Sequence, residues 1–347
     1  MVKIEELKVG IHLMKRNLLI ITILLLVPIL FSCTKEDIGY KSGKLHVAVA
    51  GTLSSLLTSN QRDTITSLVL TGTIDARDLK CLRDSMPRLA ELDLSAVTIA
   101  AYTGTGGSLG IISTVYPANT LPERAFACSG LTKITLPGSI TSIGESAFED
   151  CSGLTTITLP NSVTSIGAGA FGGCSGLTTI TLPNSLTSIG SNAFYFCSKL
   201  TTITLPNSVS SIGSNAFYAC SGLTTITLPN SVTSIGDYTF YGCSGLTTIT
   251  LPNSVTSIGT QAFYGCSGLT TITLPGSVTS IGGYAFYCCR GLTKLTAEAI
   301  NPVNLTAWGG VFTYVPTSTC ILYVPSGSVS AYQAANQWKD FAHIVGI

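Results

Sequence analysis

The chain has 347 residues, of which 45% are apolar and only 10% charged, and its formal net charge is +1. With no basic stripe, the electrostatic footprint of a nucleic-acid binder is missing. Three histidines, His12, His46 and His343, give little from which to build a catalytic base.

Residues 14–33 read Met14-Lys15-Arg16-Asn17, an apolar run from Leu18 to Phe31, then Ser32-Cys33. A basic start and a short apolar run make a secretory signal, not a membrane span, with Met14 as the expected start. Leu30-Phe31-Ser32-Cys33 resembles a bacterial lipobox, which implies cleavage before Cys33 and acylation of its thiol. A plain signal peptide over 1–32 is the alternative. Cleavage removes Lys3, Lys8, Lys15 and Arg16 against Glu5 and Glu6, taking the formal charge from +1 to −1. Thr34-Lys35-Glu36-Asp37 resembles the surface-export signal of Bacteroides-type lipoproteins, which implies an outer-membrane lipoprotein facing outward. A solvated polar tether over 33–43 is the other reading.

Residues 44–116 read as an N-terminal cap with irregular leucine-rich repeats. Strands are expected from Leu45, over Ile65–Leu70 and over Leu89–Leu94, with helices over Thr52–Leu57 and Asp75–Arg83. Tyr102 to Tyr116, rich in Gly, Thr and Ser, reads as a loop. Pro117 to Phe126 reads as a half-repeat.

From 117 to 296 one 23-residue unit recurs, C-S-G-L-T-T-I-T-L-P-N-S-V-T-S-I-G-x-x-A-F-x-x. Cysteine falls at 128, 151, 174, 197, 220, 243, 266 and 289, which reads as an unbroken interval of 23. A fixed period of this length predicts a solenoid of parallel strands in which each repeat buries its apolar face against its neighbours. In the unit at 151–173, Ile157 and Leu159 point one way and Thr156 and Thr158 the other. Pro160 ends the strand, and Val163 to Ile166 reads as a second short extended segment. The glycine at 144, 167, 190, 213, 236, 259 and 282 implies either a positive φ or a close backbone approach. Ala170-Phe171-x-x-Cys174 predicts one helical or 3₁₀ turn. The phenylalanine column from Phe126 to Phe286 reads as a core spine, not a cofactor box.

The block LTTITLPNSVTSIGxxAFxxCSG resembles the BspA-type leucine-rich repeats of surface proteins from Bacteroides-like anaerobes, over about 128–296. It departs from the general leucine-rich consensus in placing its cysteine after the Ala-Phe turn. The fold class is therefore a leucine-rich repeat solenoid, mostly β. After Leu295 the period is lost. Residues 297–347 read as a C-terminal cap with a strand at 319–325 and a short helix over Ser328–Trp338, covering the last open edge.

Twelve cysteines in an exported chain admit disulfides, but identical rungs at strict period favour small buried thiols. Cys81 and Cys288-Cys289 lie off the pattern and are the ones to inspect for bridges. No metal or other cofactor is expected, since no histidine or carboxylate falls near the column. The array carries no histidine, and its acids are only Glu145, Glu149, Asp150 and Asp237, the first three read as solvated surface. No enzyme is expected.

Two outward surfaces remain. The strand face carries Thr-x-Thr rows, among them Thr179/Thr181, Thr202/Thr204 and Thr225/Thr227, which serve either as plain strand formers or as a polar recognition face. These rows also resemble those of ice-binding β-solenoids, a likeness that the curvature expected of this sheet argues against. Tyr195, Tyr218, Tyr241, Tyr264 and Tyr287 follow the phenylalanine column. They form either an exposed aromatic stripe or a set of rings each packed on the next rung. The resemblance implies a non-enzymatic adhesion protein that binds host matrix proteins, other cells or glycans. A glycan-capturing lipoprotein of a nutrient-uptake system and a structural surface component are the rival readings.

Overall fold

The computed structural model describes residues 42–109, 114–305 and 309–347. The signal, Cys33 and nearly all of the tether lie outside the described residues.

The chain is a leucine-rich repeat solenoid of parallel strands. Strands Ser42–Val47, Ser67–Ile74, Glu91–Ile99 and Lys133–Thr135 pair in that order. The Thr-Ile-Thr strands then continue the same face with a 23-residue offset, as in Thr156↔Thr179 and Ile157↔Ile180. The repeat at 197–219 contributes only a bridge, Thr202, between Thr179 and Thr225. Each isoleucine is buried and each flanking threonine exposed, as the period of two requires. After the proline, two-residue Ser-Ile strands form two further parallel sheets, one from Thr120–Leu121 to Ser211–Ile212 and one from Ser234–Ile235 to Ser280–Ile281.

In the regular repeats the third side carries no helix. It is built from turns in which two residues per repeat adopt left-handed backbone, for example Asn192 (φ 57°) and Phe196 (φ 56°). An α or 3₁₀ turn cannot run through such residues. The rungs are nonetheless bonded to one another here, Phe194 N–H donating to the Ala216 carbonyl at 2.8 Å.

The recurring glycine does not use its freedom in φ. A Cβ on Gly213 would lie 2.4 Å from the Ser191 nitrogen of the preceding rung, and one on Gly167 2.7 Å from the Glu145 nitrogen. Close approach of two backbones selects glycine at this corner.

The core is a set of columns. From Phe148 to Phe286 successive phenylalanine rings lie 5.2–5.5 Å apart and nearly parallel. Phe126 precedes them and Phe312 continues them. Each fully buried ring is worth about 2–3 kcal/mol in water exclusion.

The cysteine column needs a correction. Phe126 and Phe148 are 22 residues apart, because Ser129-Gly130-Leu131 is one residue shorter than Cys151-Ser152-Gly153-Leu154. Ser129 therefore takes the column position, its Oγ 3.3 Å from the Cys151 Sγ, while Cys128 sits one residue earlier and is exposed. All eleven cysteines among the described residues are free thiols, Cys81 and the Cys288-Cys289 pair included.

The caps hold further differences. Tyr102–Gly104 and Thr114–Tyr116 form an antiparallel hairpin where a loop is expected, with the Tyr102 and Tyr116 rings stacked at 5.9 Å. Helix Ala76–Asp84 starts at a capping box of Asp75 and Asp78. At the other end, Ile321–Val324 and His343–Gly346 each add a parallel strand. The tail thus extends the sheet and leaves its own last strand as the edge. What it covers is the end of the ring column, where Trp338 and Phe341 meet Phe312 edge-on. Trp338 Nε1–H donates to the Val303 carbonyl at 2.8 Å, and Tyr332 Oη–H to the Ala299 carbonyl at 2.9 Å.

Candidate binding surfaces

Three of the seven repeated hydroxyl positions of the unit are spent inside the fold. Thr178 Oγ1–H donates to the Thr155 carbonyl one rung back at 3.0 Å, and Thr247 to Thr224 at 3.1 Å. Ser185 does the same to Val163 and Ser254 to Val232, each at 2.6 Å. These side chains tie rung to rung at corners where a strand ladder is ending.

The Thr-x-Thr rows differ. Thr179, Thr181, Thr202, Thr204, Thr225 and Thr227 are exposed, and none of their hydroxyls bonds to the described protein. Adjacent rows lie at the strand spacing of about 4.8 Å, and the two threonines of one strand about 7 Å apart. The result is a regular, uncharged face of free donors and acceptors.

The tyrosines are half-buried. Tyr218, Tyr241, Tyr264 and Tyr287 stack at 4.5–4.6 Å with interplanar angles of 12° or less, and Tyr195 joins the stack at 4.8 Å. Tyr314 closes the far end edge-on, 5.1 Å from Tyr287. Each interior ring has both faces covered by its neighbours, and edges and hydroxyls face outward. Burial against the stack, then the neighbouring phenols, push the Tyr218 and Tyr241 hydroxyls above their ordinary pKa.

At its near end the stack stops. Gly172 occupies the ladder position where Tyr195 has its next neighbour, and Gly173 follows. A groove of about 550 Å³ opens there, floored by Gly169, Gly172 and Gly173 and walled by Tyr195 and Phe196 on one side and Glu145, Glu149 and Asp150 on the other. Sequence reasoning leaves these acids as solvated surface. The glycine pair that interrupts the tyrosine column is the sequence signal for the groove.

The cysteine column offers no chemistry. Desolvation pushes the Cys197 and Cys243 thiols up to about 12 and that of Cys151 to about 11, and the others of the column upward too. A buried protonated thiol is a poor nucleophile. His46 lies in the first described strand, 3.0 Å from Thr71 Oγ1, and His343 in the last, too far apart in the strand order to act together. Among the described residues no group of three or more His, Cys, Asp or Glu is placed to hold a metal ion.

Among solved structures the chain is similar to a leucine-rich repeat protein of T. pallidum, 39% identical over 43% of this chain and 70% of that one, with a TM-score of 0.42. It is also similar to a leucine-rich repeat protein from Bacteroides ovatus, 20% identical over 91% and 97% of the two chains, TM-score 0.48. A third is the pneumococcal vaccine antigen PcpA, 19% identical over 82% and 79%, TM-score 0.42. No curated protein matches the chain. Residues 119–247 and 233–306 match the BspA type leucine rich repeat region, in six copies spanning just over half of the sequence. The chain belongs to the BspA-type leucine-rich repeat family.

Proposed function

We propose that the protein is a non-enzymatic, surface-anchored binding protein that recognises an extracellular partner, a host matrix protein or another cell, through its threonine face. One observation carries this reading. The Thr-x-Thr rows place two exposed hydroxyls without a protein partner on rung after rung of an extended, uncharged sheet. Solenoids offer such surfaces for binding. Anchoring rests on the sequence alone: the lipobox-like Leu30–Cys33 would place a lipid on Cys33 and hold the array outside the outer membrane.

The glycan-capture reading needs aromatic faces for sugars to stack on, and the interior tyrosines present edges. The test is a screen of residues 34–347 against immobilised matrix proteins and glycans, repeated with Thr202 and Thr225 both changed to lysine. Protein binding that resists free sugar and is lost in the lysine variant supports the proposal. Glycan-only binding overturns it in favour of nutrient capture, and no binding on either array overturns it in favour of a structural role. Anchoring is checked separately, by fatty-acid labelling of the whole chain that should vanish in Cys33→Ala.

A further inference from the structure

We infer that the groove at the near end of the tyrosine stack is a site for a guanidinium group, the side chain of an arginine on a partner polypeptide. The inference is independent of the threonine face.

Between residues 128 and 288 the array has only six charged side chains, and three of its four acids, Glu145, Glu149 and Asp150, line this one groove. Arg124 lies 3.7 Å from Glu149. Glu145 and Asp150 have no ion-pair partner among the described residues. An uncompensated pair of carboxylates on an otherwise neutral surface attracts a cation into the groove.

The opposite wall fixes the shape of that cation. Tyr218 is covered on both faces by Tyr195 and Tyr241, whereas Tyr195 has only glycine at the next ladder position, so one of its ring faces looks into the groove. Phe196, 47% exposed and held by left-handed backbone, meets Tyr195 edge-on at 4.4 Å and extends the aromatic wall. A planar guanidinium stacks on such a face and pairs with carboxylates through its edge, which the compact ammonium of lysine does less well. The glycine floor admits the approach. A Cβ on Gly173 would meet the Asp150 Oδ1 at 2.0 Å, so glycine there is what lets the Asp150 carboxylate lie over the floor.

The test uses a fluorescein-labelled Gly-Ser peptide carrying arginine, with citrulline and lysine counterparts, titrated against residues 34–347 by anisotropy. The arginine peptide should bind saturably and lose affinity as salt rises, and the citrulline peptide should not bind. Glu145→Gln with Asp150→Asn should weaken binding about tenfold without changing the volume of the groove. Gly172→Tyr should weaken it comparably by adding a rung to the stack, since Gly172 lacks the positive φ that would forbid a side chain. Equal binding of citrulline or lysine peptides, binding unchanged in both variants, displacement by free sugars, or no binding by the folded wild type would each overturn the assignment. Loss of binding in the Thr202/Thr225 lysine variant alone would move the peptide to the threonine face, and so would leave the proposed function standing while removing the groove.

Discussion

The Cys220 Sγ lies 3.1 Å from the main-chain carbonyl oxygen of Phe194, one rung back in the solenoid. The same bond recurs down the column from Cys151 to Cys289, so each thiol donates to a carbonyl beside the phenylalanine column. Cysteine is thus chosen here as a small apolar residue with one weak donor.

Burial of the column predicts alkaline lability. Below pH 8 the thiols are protonated in both folded and unfolded chains and contribute no pH dependence. Above the unfolded value of about 8.5 the unfolded chain sheds protons that the column keeps, with Cys197 and Cys243 held up to about 12, so stability falls as pH rises. Each such thiol should cost about 2 kcal/mol by pH 10. Denaturant midpoints measured from pH 8 to 10 should fall steeply, and Cys220→Ala should flatten the slope by one thiol's share. An unchanged slope in Cys220→Ala would show that other groups cause the loss.

Cys128 and Cys288 occupy the same place in their repeats, just before the column residue and in left-handed backbone. Cys128 is exposed and Cys288 half-buried. A thiol reagent at pH 8 should label these two rapidly in the folded protein and Cys151 to Cys289 of the column only after unfolding. Protection of Cys128 to the level of Cys151 would return the register to an unbroken 23.

The glycine corner separates two substitutions that look alike in sequence. Gly213→Ala would drive a methyl group into the backbone of Ser191 and should destabilise by about 2–3 kcal/mol. At Gly236 the nearest atom to an added Cβ is the Thr239 hydroxyl at 3.3 Å, and the backbone of Ser214 lies 3.5 Å away. Gly236→Ala should therefore cost well under half as much, and thermal unfolding of the two variants side by side decides the point.

Asp78 is buried in the N-terminal cap and accepts from the backbone N–H groups of Gly51, Leu53 and Asp75 at 2.6, 2.9 and 3.0 Å. Burial pushes its carboxyl up while these three bonds pull it down, and the net shift is upward. Asp78→Asn keeps the shape but turns an amide N–H₂ toward N–H donors. It should destabilise by about 2 kcal/mol, seen as a lowered denaturant midpoint with an unchanged slope.

How far the sequence reaches depends on what repeats. Ile157 and Thr158 declare their opposite faces because a strand alternates and the repeat supplies the same answer many times. The left-handed positions at Asn192 and Phe196 are hidden, because asparagine, tyrosine, glutamine, alanine and glycine all appear at such sites in different rungs. The slip at Cys128 is hidden because a one-residue deletion between Ser129 and Leu131 leaves the cysteine spacing intact by coincidence. The groove escapes for the opposite reason: it exists where one repeat breaks the pattern, Gly172 for tyrosine, and periodicity averages such a break away.

The tyrosine stack gives a prediction that separates packing from recognition. Tyr241 is flanked at 4.5 Å on both faces, Tyr195 on one. Stacked pairs add about 0.5–1.5 kcal/mol each beyond burial, so Tyr241→Ala should cost about 2–3 kcal/mol and Tyr195→Ala about half of that. Tyr241→Phe keeps both contacts and removes only an outward hydroxyl, and should lie within about 0.5 kcal/mol of the parent. If Tyr241→Ala is thermodynamically silent, the rings are not stabilising the rungs and their alignment calls for a ligand. If the cost is as expected and Tyr241→Phe binds as the parent does, the interior tyrosines are structure, and recognition belongs to the threonine face and to the open end at Tyr195.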